Sequence, residues 1–299
     1  MAHFDCSLVA ASRTAVGLFS LQASDDRSAG LQPVLQHEMP VGLQQPLVDF
    51  SWLPGDNGLM ISSHGNGLVH LWESGSLSII DTIRLPYQIN GHDLSTAAGA
   101  SQPSLAVAHN TGVVVVDLRA GAAVQTFSFK EGKRPICVSW DPWNAFNLYS
   151  GCLDSSIHKL DIRKPRGCLL QVHCPSGPVS NADYPFFLEW VGPDAMVAIH
   201  GSGFAFRLSP SSQEVVWRSD LGYFCMEGFR GALVDDTVNP MLILPGSDCI
   251  SALDLHDGSE LWQKACLGFT SDAVLYNPDR LVRFSRPVIH FVGIVQLCP

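Results

Sequence analysis

Charge is scarce in this sequence, and basic charge scarcer still. Only 15% of the residues are charged, and 18 Lys and Arg stand against 28 Asp and Glu, for a formal net charge of −10. A net-acidic surface repels phosphate backbones, which argues against nucleic-acid binding over the whole surface. The two densest basic stretches, Lys130-Glu131-Gly132-Lys133-Arg134 and Arg163-Lys164-Pro165-Arg166, read first as solvated loops, with a local anion contact as the alternative. The 9 cysteines include no Cys-x-x-Cys pair, so the minimal spacing of a zinc ribbon or a dithiol redox site is missing. Their odd number and wide scatter fit free thiols acting as small hydrophobes, and a reducing compartment. There is no apolar window of about 18 residues, the minimum for a membrane-spanning helix. There is also no basic stretch followed by an apolar one near Met1, so no signal peptide is expected.

Catalytic signatures are lacking too. No Ser lies in a Gly-x-Ser-x-Gly setting, no His-Glu-x-x-His occurs, and no strand–glycine loop–helix stands ready to cradle phosphate. None of the 11 His forms an i, i+4 pair. The reading is a non-catalytic chain with no cofactor, no metal site, no small-molecule ligand and no membrane association. Helical periodicity is hard to find as well, although 46% of the residues are hydrophobic, enough for a sizeable core.

What the sequence has instead is a repeat. Short apolar runs of strand length recur, each ended by Gly, Pro, Asn, Asp or Ser. The segment Asp154-Ser155-Ser156-Ile157-His158-Lys159-Leu160-Asp161 serves as a template of turn residue, two spacers, β-branched residue and strand ending in an acid. It lands on Arg13, Asn66, Asn110, Asp154, Gly201, Ser247 and Ser285, at spacings of 53, 44, 44, 47, 46 and 38 residues. One four-stranded propeller blade has a period of about 40–45 residues. The fourth position reads Val16, Val69, Val113, Ile157, Phe204, Ile250 and Val288, all suited to a strand. The seventh reads Phe19, Trp72, Val116, Leu160, Arg207, Leu253 and Phe291, and Arg207 alone breaks the apolar set. Glu73, Asp117, Asp161 and Asp254 follow it in four copies. Each template is preceded by another apolar run, such as Leu105-Ala106-Val107, so run, turn and template make a hairpin. Further strands flank the hairpin, such as Ile136-Cys137-Val138-Ser139-Trp140 before it and Ala123-Val124-Gln125-Thr126-Phe127 after it.

The expectation is an all-β, seven-bladed β-propeller forming a single domain over residues 1–299. Its blades fall roughly at 1–40, 46–85, 89–129, 133–173, 180–219, 222–264 and 266–299. The template resembles the WD repeat in pattern, with Trp72-Glu73 closest to the Trp-Asp dipeptide and Gly91-His92 as the one Gly-His pair, at a strand edge. The Asp–His–Ser–Trp network of well-formed WD blades reads as incomplete throughout. The fourth blade keeps Ser150 and Asp154 but has Leu160 in place of Trp. The chain reads as starting at the second strand of the first blade, so closure of the ring by an N-terminal strand is expected to be incomplete, leaving unpaired edges.

A narrower resemblance covers about half the chain, from Val48 to Leu170. Phe50-Ser51-Trp52-Leu53-Pro54-Gly55-Asp56, Val138-Ser139-Trp140-Asp141-Pro142, Val114-Val115-Val116-Asp117-Leu118-Arg119 and Leu160-Asp161-Ile162-Arg163 are similar, in order and spacing, to the Cockayne-syndrome-A-type WD-repeat family. That resemblance implies a substrate-recognition subunit of a cullin-4 ubiquitin ligase, held through a damaged-DNA-binding adaptor. It also implies action on stalled RNA polymerase or repair proteins in transcription-coupled nucleotide excision repair, in the nucleus, with the cytoplasm as a second location. Adaptor-binding members carry a sixteen-residue box ending in Trp-Asp-x-Arg, and Leu148 to Arg163 matches its spacing and residue classes except at Leu160. The resemblance makes Arg119 and Arg163 adaptor contacts on the narrow face, with Asp117 and Asp161 orienting them or the turn. The helical segment with which the family also contacts its adaptor is not found ahead of the first blade.

Two other readings stay open. One is a generic WD-repeat scaffold in another multiprotein assembly. The other starts from Ala252-Leu253-Asp254-Leu255-His256-Asp257-Gly258-Ser259-Glu260-Leu261-Trp262, which resembles the docking repeat of quinoprotein propellers but occurs complete only once.

Overall fold

The computed structural model describes residues 7–11, 15–22, 30–38, 47–54, 56–95, 104–130, 132–164, 168–173, 184–222, 232–234, 240–245, 249–265, 275–277 and 280–282. All regular structure among these residues is β-strand. The strands form seven antiparallel sheets, in which each strand pairs with its chain neighbour.

The first sheet has three strands, β1 (Ser7–Ala11), β2 (Ala15–Gln22) and β3 (Gly30–Glu38). Five four-stranded sheets follow. The second holds β4 (Leu47–Leu53), β5 (Asp56–His64), β6 (Leu68–Glu73) and β7 (Ser78–Arg84). The third holds β8 (Ile89–Leu94), β9 (Ser104–His109), β10 (Gly112–Asp117) and β11 (Ala122–Ser128). The fourth holds β12 (Pro135–Trp140), β13 (Asn147–Cys152), β14 (Ser156–Asp161) and β15 (Cys168–His173). The fifth holds β16 (Pro185–Gly192), β17 (Ala195–His200), β18 (Phe204–Ser209) and β19 (Glu214–Asp220). The sixth holds β20 (Ala232–Val234), β21 (Met241–Pro245), β22 (Cys249–Asp254) and β23 (Glu260–Ala265). The last has two strands, β24 (Leu275–Asn277) and β25 (Arg280–Val282). The seventh copy of the template, at Ser285, lies outside the described residues.

Burial explains why the central strands read as unbroken apolar runs. In β9 and β10, Leu105, Val107, Val114 and Val116 join Leu94 of β8 and pack toward Ile61 and Val69 of the second sheet. The alternate residues Ala106, Ala108, Val113 and Val115 pack toward the fourth sheet with Val138, Trp140 and Leu148. A strand buried on both faces has no polar side to show. The same sandwiching recurs between the fourth and fifth sheets and between the fifth and sixth. Fourth strands are the outer ones: β7, β11 and β19 are mostly exposed. First strands lie side by side, β4 against β8, β8 against β12, and β12 against β16.

Hydrogen bonds join these first strands from sheet to sheet. His92 N donates to Asp49 Oδ2 (3.2 Å), and the His92 ring bridges the hydroxyls of Ser51 (2.9 Å) and Ser63 (2.7 Å). Trp140 N donates to Asp93 Oδ2 (2.7 Å), and Asn90 Nδ2 donates to the carbonyl of Pro135 (2.6 Å). The Cys137 thiol donates to the carbonyl of Pro185 (3.3 Å). Gly91-His92, expected at a strand edge, lies inside β8. A Cβ at Gly91 would sit 3.1 Å from the carbonyl oxygen of Ile136, so the missing side chain lets β8 and β12 approach closely.

The structure corrects one register. Met196 pairs with Leu208 as Met60 pairs with Trp72 and Leu148 with Leu160. Gly203 and Gly67 take the same left-handed turn position, at φ of 87° and 88°. The fifth template therefore begins at Ser202 and not at Gly201, and its seventh position is Leu208, buried like its counterparts. A slip of one residue exchanges the faces of a strand, which is why Arg207 looked like a break in an apolar column. Arg207 points instead to the neighbouring sheet, where Nη1 donates to the carbonyl of Leu255 (2.8 Å).

Two predictions follow from this geometry. Ser155 occupies, at φ 61°, the position that Gly67 and Gly203 hold in their sheets. A left-handed non-glycine residue costs about 1–2 kcal/mol, so Ser155→Gly is expected to raise the melting temperature by a few degrees; an unchanged or lower value in a calorimetric scan counts against the strain. Asp93→Ala leaves Trp140 N without its acceptor and is expected to cost about 1–3 kcal/mol in denaturant unfolding.

Candidate functional site: the lower end of the third and fourth sheets

The strands β10 and β14 are equivalent, since Val116 pairs with Leu105 as Leu160 pairs with Leu148. Both end in an aspartate, and both arginines of the candidate set follow two residues later, at the same end of adjacent sheets. This end, with the loop between β12 and β13, is the lower end; the β13–β14 turn marks the upper end.

The aspartates are turn-formers first. Asp117 Oδ1 accepts from the backbone N of Arg119 (2.8 Å) and of Ala120 (3.2 Å). Asp161 Oδ1 accepts from Arg163 N (2.9 Å), and Asp254 Oδ1 accepts from His256 N (2.7 Å). In the fifth sheet the position is Ser209, whose hydroxyl accepts from Ser212 N (3.3 Å). A short polar side chain that takes up turn amides is the physical reason for the recurring acid.

Asp161 does more than its counterparts. Arg163 Nε donates to its Oδ1 (2.9 Å) and Nη2 to its Oδ2 (2.8 Å), a two-point fork. The carboxylate is 2% exposed while the Arg163 side chain is 57% exposed, so the acid is an anchor and the guanidinium a presented surface. The hydrogen bond from Arg163 holds the Asp161 carboxyl down at about 2. The guanidinium carbon also lies 4.4 Å from the centre of the Phe146 ring. Arg119 is exposed, and its backbone, not its guanidinium, meets Asp117.

Sequence reasoning missed the aromatic half of this site. Asp141 Oδ1 accepts from Trp143 N (3.0 Å) and Asn144 N (3.1 Å), and Asn144 Oδ1 from Phe146 N (3.1 Å). The resulting tight loop holds Trp143 and Phe146 outward, 53% and 45% exposed. Ile162 N donates to the carbonyl of Phe146 (2.9 Å), tying the loop to the Arg163 turn. Trp143 is braced edge-on by Trp190 of the fifth sheet, at 5.7 Å between ring centres. The signal was present in Asp141-Pro142-Trp143-Asn144-Ala145-Phe146, where aromatics sit between turn residues and not in a strand.

The upper end is rich in buried polar groups. The register places His64, His109, Cys152 and His200 alike, each closing the second strand of its sheet, and all are buried. In the second sheet Trp72 Nε1 donates to the Ser62 hydroxyl (2.9 Å), which faces His64 Nε2 (3.0 Å), so this blade holds a Trp–Ser–His chain. In the fourth sheet, with Leu160 in place of Trp, the equivalent Ser150 hydroxyl donates to the backbone carbonyl of Cys137 (3.0 Å).

No family model matches the chain. Among solved structures it is similar to the β-propeller domain of Cps50 (Swd1) from Myceliophteria thermophila, with a TM-score of 0.55 at 15% identity, over 70% of this chain. The chain folds as a β-propeller. The match spans 65% of that domain, and at this identity the likeness concerns the fold. The expectation of an all-β propeller built from four-stranded antiparallel sheets therefore holds.

The buried histidines give the propeller a pH dependence. Burial lowers His70, and lowers His109 from 6.5 to about 4. Above pH 6.5 both residues are neutral folded or unfolded, and their contribution is complete. As pH falls from 6.5 toward 4 the unfolded chain takes up protons that the folded one refuses, and stability is lost. Allowing for residual screening, His109 accounts for on the order of 2 kcal/mol over that window. Denaturant unfolding of His109→Gln is expected to show a shallower fall between pH 6.5 and 4 than the parent; identical slopes contradict the assignment.

Proposed function

We propose that this propeller is a non-catalytic recognition subunit whose lower end docks on a protein partner through Arg163, Phe146 and Trp143. One observation carries the reading. Asp161 spends its carboxylate on fixing a guanidinium that remains more than half exposed, beside two exposed aromatics held by their own turn. Arg, Trp and Phe are the side chains enriched at the energetic centres of protein interfaces. A planar fork held in advance also loses little conformational freedom on meeting a carboxylate or carbonyl.

The finer reading takes the partner to be the damaged-DNA-binding adaptor of a cullin-4 ubiquitin ligase. The chain then presents stalled RNA polymerase or repair proteins for ubiquitination in the nucleus, in transcription-coupled nucleotide excision repair. The match of Leu148 to Arg163 to the adaptor-binding box supports this, as does the placement of Arg119 at the equivalent turn of the adjacent sheet.

Arg119→Ala combined with Arg163→Ala is expected to abolish co-purification of the adaptor and cullin-4 from nuclear extract, while the variant, stripped of the Asp161 fork, melts a few degrees lower but still folds. Undiminished capture by the folded double variant removes the arginines from the interface. Capture of a different stable assembly in place of the adaptor turns the assignment to a scaffold outside the ligase.

A further inference from the structure

At the upper end of the fourth sheet, on the hairpin opposite the docking surface, three side chains of different chemistry converge. Cys152 closes β13, Asp154 sits in the turn, and His158 is the third residue of β14. The Cys152 thiol, an Asp154 carboxylate oxygen and a His158 ring nitrogen all lie within 4.8 Å of one another. The convergence follows from register. Ser150 pairs with His158 across the hairpin, and side chains two residues apart share a face, so Cys152 and His158 point the same way. Cys152 is 0% and His158 3% exposed. Asp154 is the opening to solvent, its side chain 28% exposed.

We propose that Cys152, Asp154 and His158 form a binding site for a zinc-class divalent cation. Thiolate, imidazole and carboxylate are the donors zinc takes, and three protein ligands with a fourth position open to water make a recognised zinc arrangement. Metal–ligand bonds of about 2.0–2.3 Å require the three donors to close up by about an ångström. Asp154, in a turn, supplies most of that movement. The Ser156 hydroxyl now sits among the donors, giving its proton to Asp154 Oδ1 and facing His158 Nε2 at 2.8 Å. On binding it rotates aside, or stays as a neutral group beside the ion. Lys133 Nζ, 3.7 Å from Asp154 Oδ2, neutralises that carboxylate in the metal-free state and leaves Oδ1 to the ion.

A dication meets one thiolate and one carboxylate, and the single positive charge left by Lys133 lies at the solvent-open side of the site, beside Asp154. Zinc or cobalt enters as the aquo ion, the Cys152 S–H bond breaks, the sulfur lone pair goes to the metal, and the proton leaves to buffer. No oxidation occurs. Because the ligand is the thiolate, binding displaces the Cys152 proton and strengthens as pH rises.

Cobalt(II) is the probe, added to the full chain purified in the presence of a chelator and then desalted. The expected result is a saturable set of visible ligand-field bands with a near-ultraviolet thiolate-to-cobalt band, both erased by stoichiometric Zn2+, and a rise in melting temperature with Zn2+. Cys152→Ser is expected to remove the thiolate band and the thermal shift, and His158→Gln to weaken cobalt binding at least tenfold. Each variant's melting temperature without metal verifies that it folds. A folded parent that gives no cobalt bands overturns the site, as does a thiolate band that persists in Cys152→Ser. Adaptor capture is measured on the same variants. Unchanged capture with loss of cobalt binding keeps this site independent of the docking surface.

Discussion

The structure depends on how one innermost strand is held to the next. Asp49 and Asp93 sit in successive first strands and spend carboxylate oxygens on backbone amides of the following sheet, His92 and Trp140. Those amides belong to strands that have used their regular partners within their own sheet, and a buried donor left unpaired costs about 1–3 kcal/mol. His92 completes the joint, since one ring with two nitrogens satisfies a serine on each of two strands of the neighbouring sheet. With the sheets fixed at this inner edge, their apolar faces come together and the outer strands are left to solvent. The docking surface and the cation cluster both rest on this edge. They are opposite ends of β14, and β14 is placed by β12 and β13, which the seam holds.

Much of this was legible in the sequence because propellers repeat. For the second, third, fourth and sixth copies the template spacing, the apolar second and third strands and the acid after the third strand correspond to observed hairpins and turns. The misplaced fifth template has a physical origin, which is that a period locates strands without fixing their register. The fifth hairpin turns one residue later than its template, so Arg207 was assigned to a column that Leu208 fills. Gly91-His92 was read as an edge dipeptide because Gly and His are frequent there, whereas in β8 the glycine serves close strand contact and the histidine serves the seam.

The candidate site was half visible. The arginines and aspartates stand in a run whose order has a known counterpart. Their division of labour was not readable, because Asp117 and Asp161 occupy identical positions and only Asp161 reaches its arginine's guanidinium with both oxygens. The difference lies outside the run, in Phe146, whose ring gives the Arg163 guanidinium a floor to lie on. The Cys152 cluster has neither a zinc-ribbon nor a helical spacing, so its residues do not stand out in the sequence. A tight hairpin gathers donors at intervals of two and four residues, and a strand's alternation then turns them to one side.

The seams between sheets are not alike, and that difference has a thermal consequence. All three seams bury large apolar clusters, but at the inner edge the second and third sheets are also joined by His92 and its serines, and the third and fourth by Asn90 and Asp93. The fourth and fifth meet through Cys137, Tyr149, Leu188, Trp190, Met196 and their neighbours, with a thiol-to-carbonyl contact at the inner edge. Apolar association weakens on cooling while hydrogen bonds and charge contacts do not fade in the same way. With fewer of the described polar contacts at its inner edge, the joint between β12 and β16 leans most on apolar association, the part of the packing that cooling weakens.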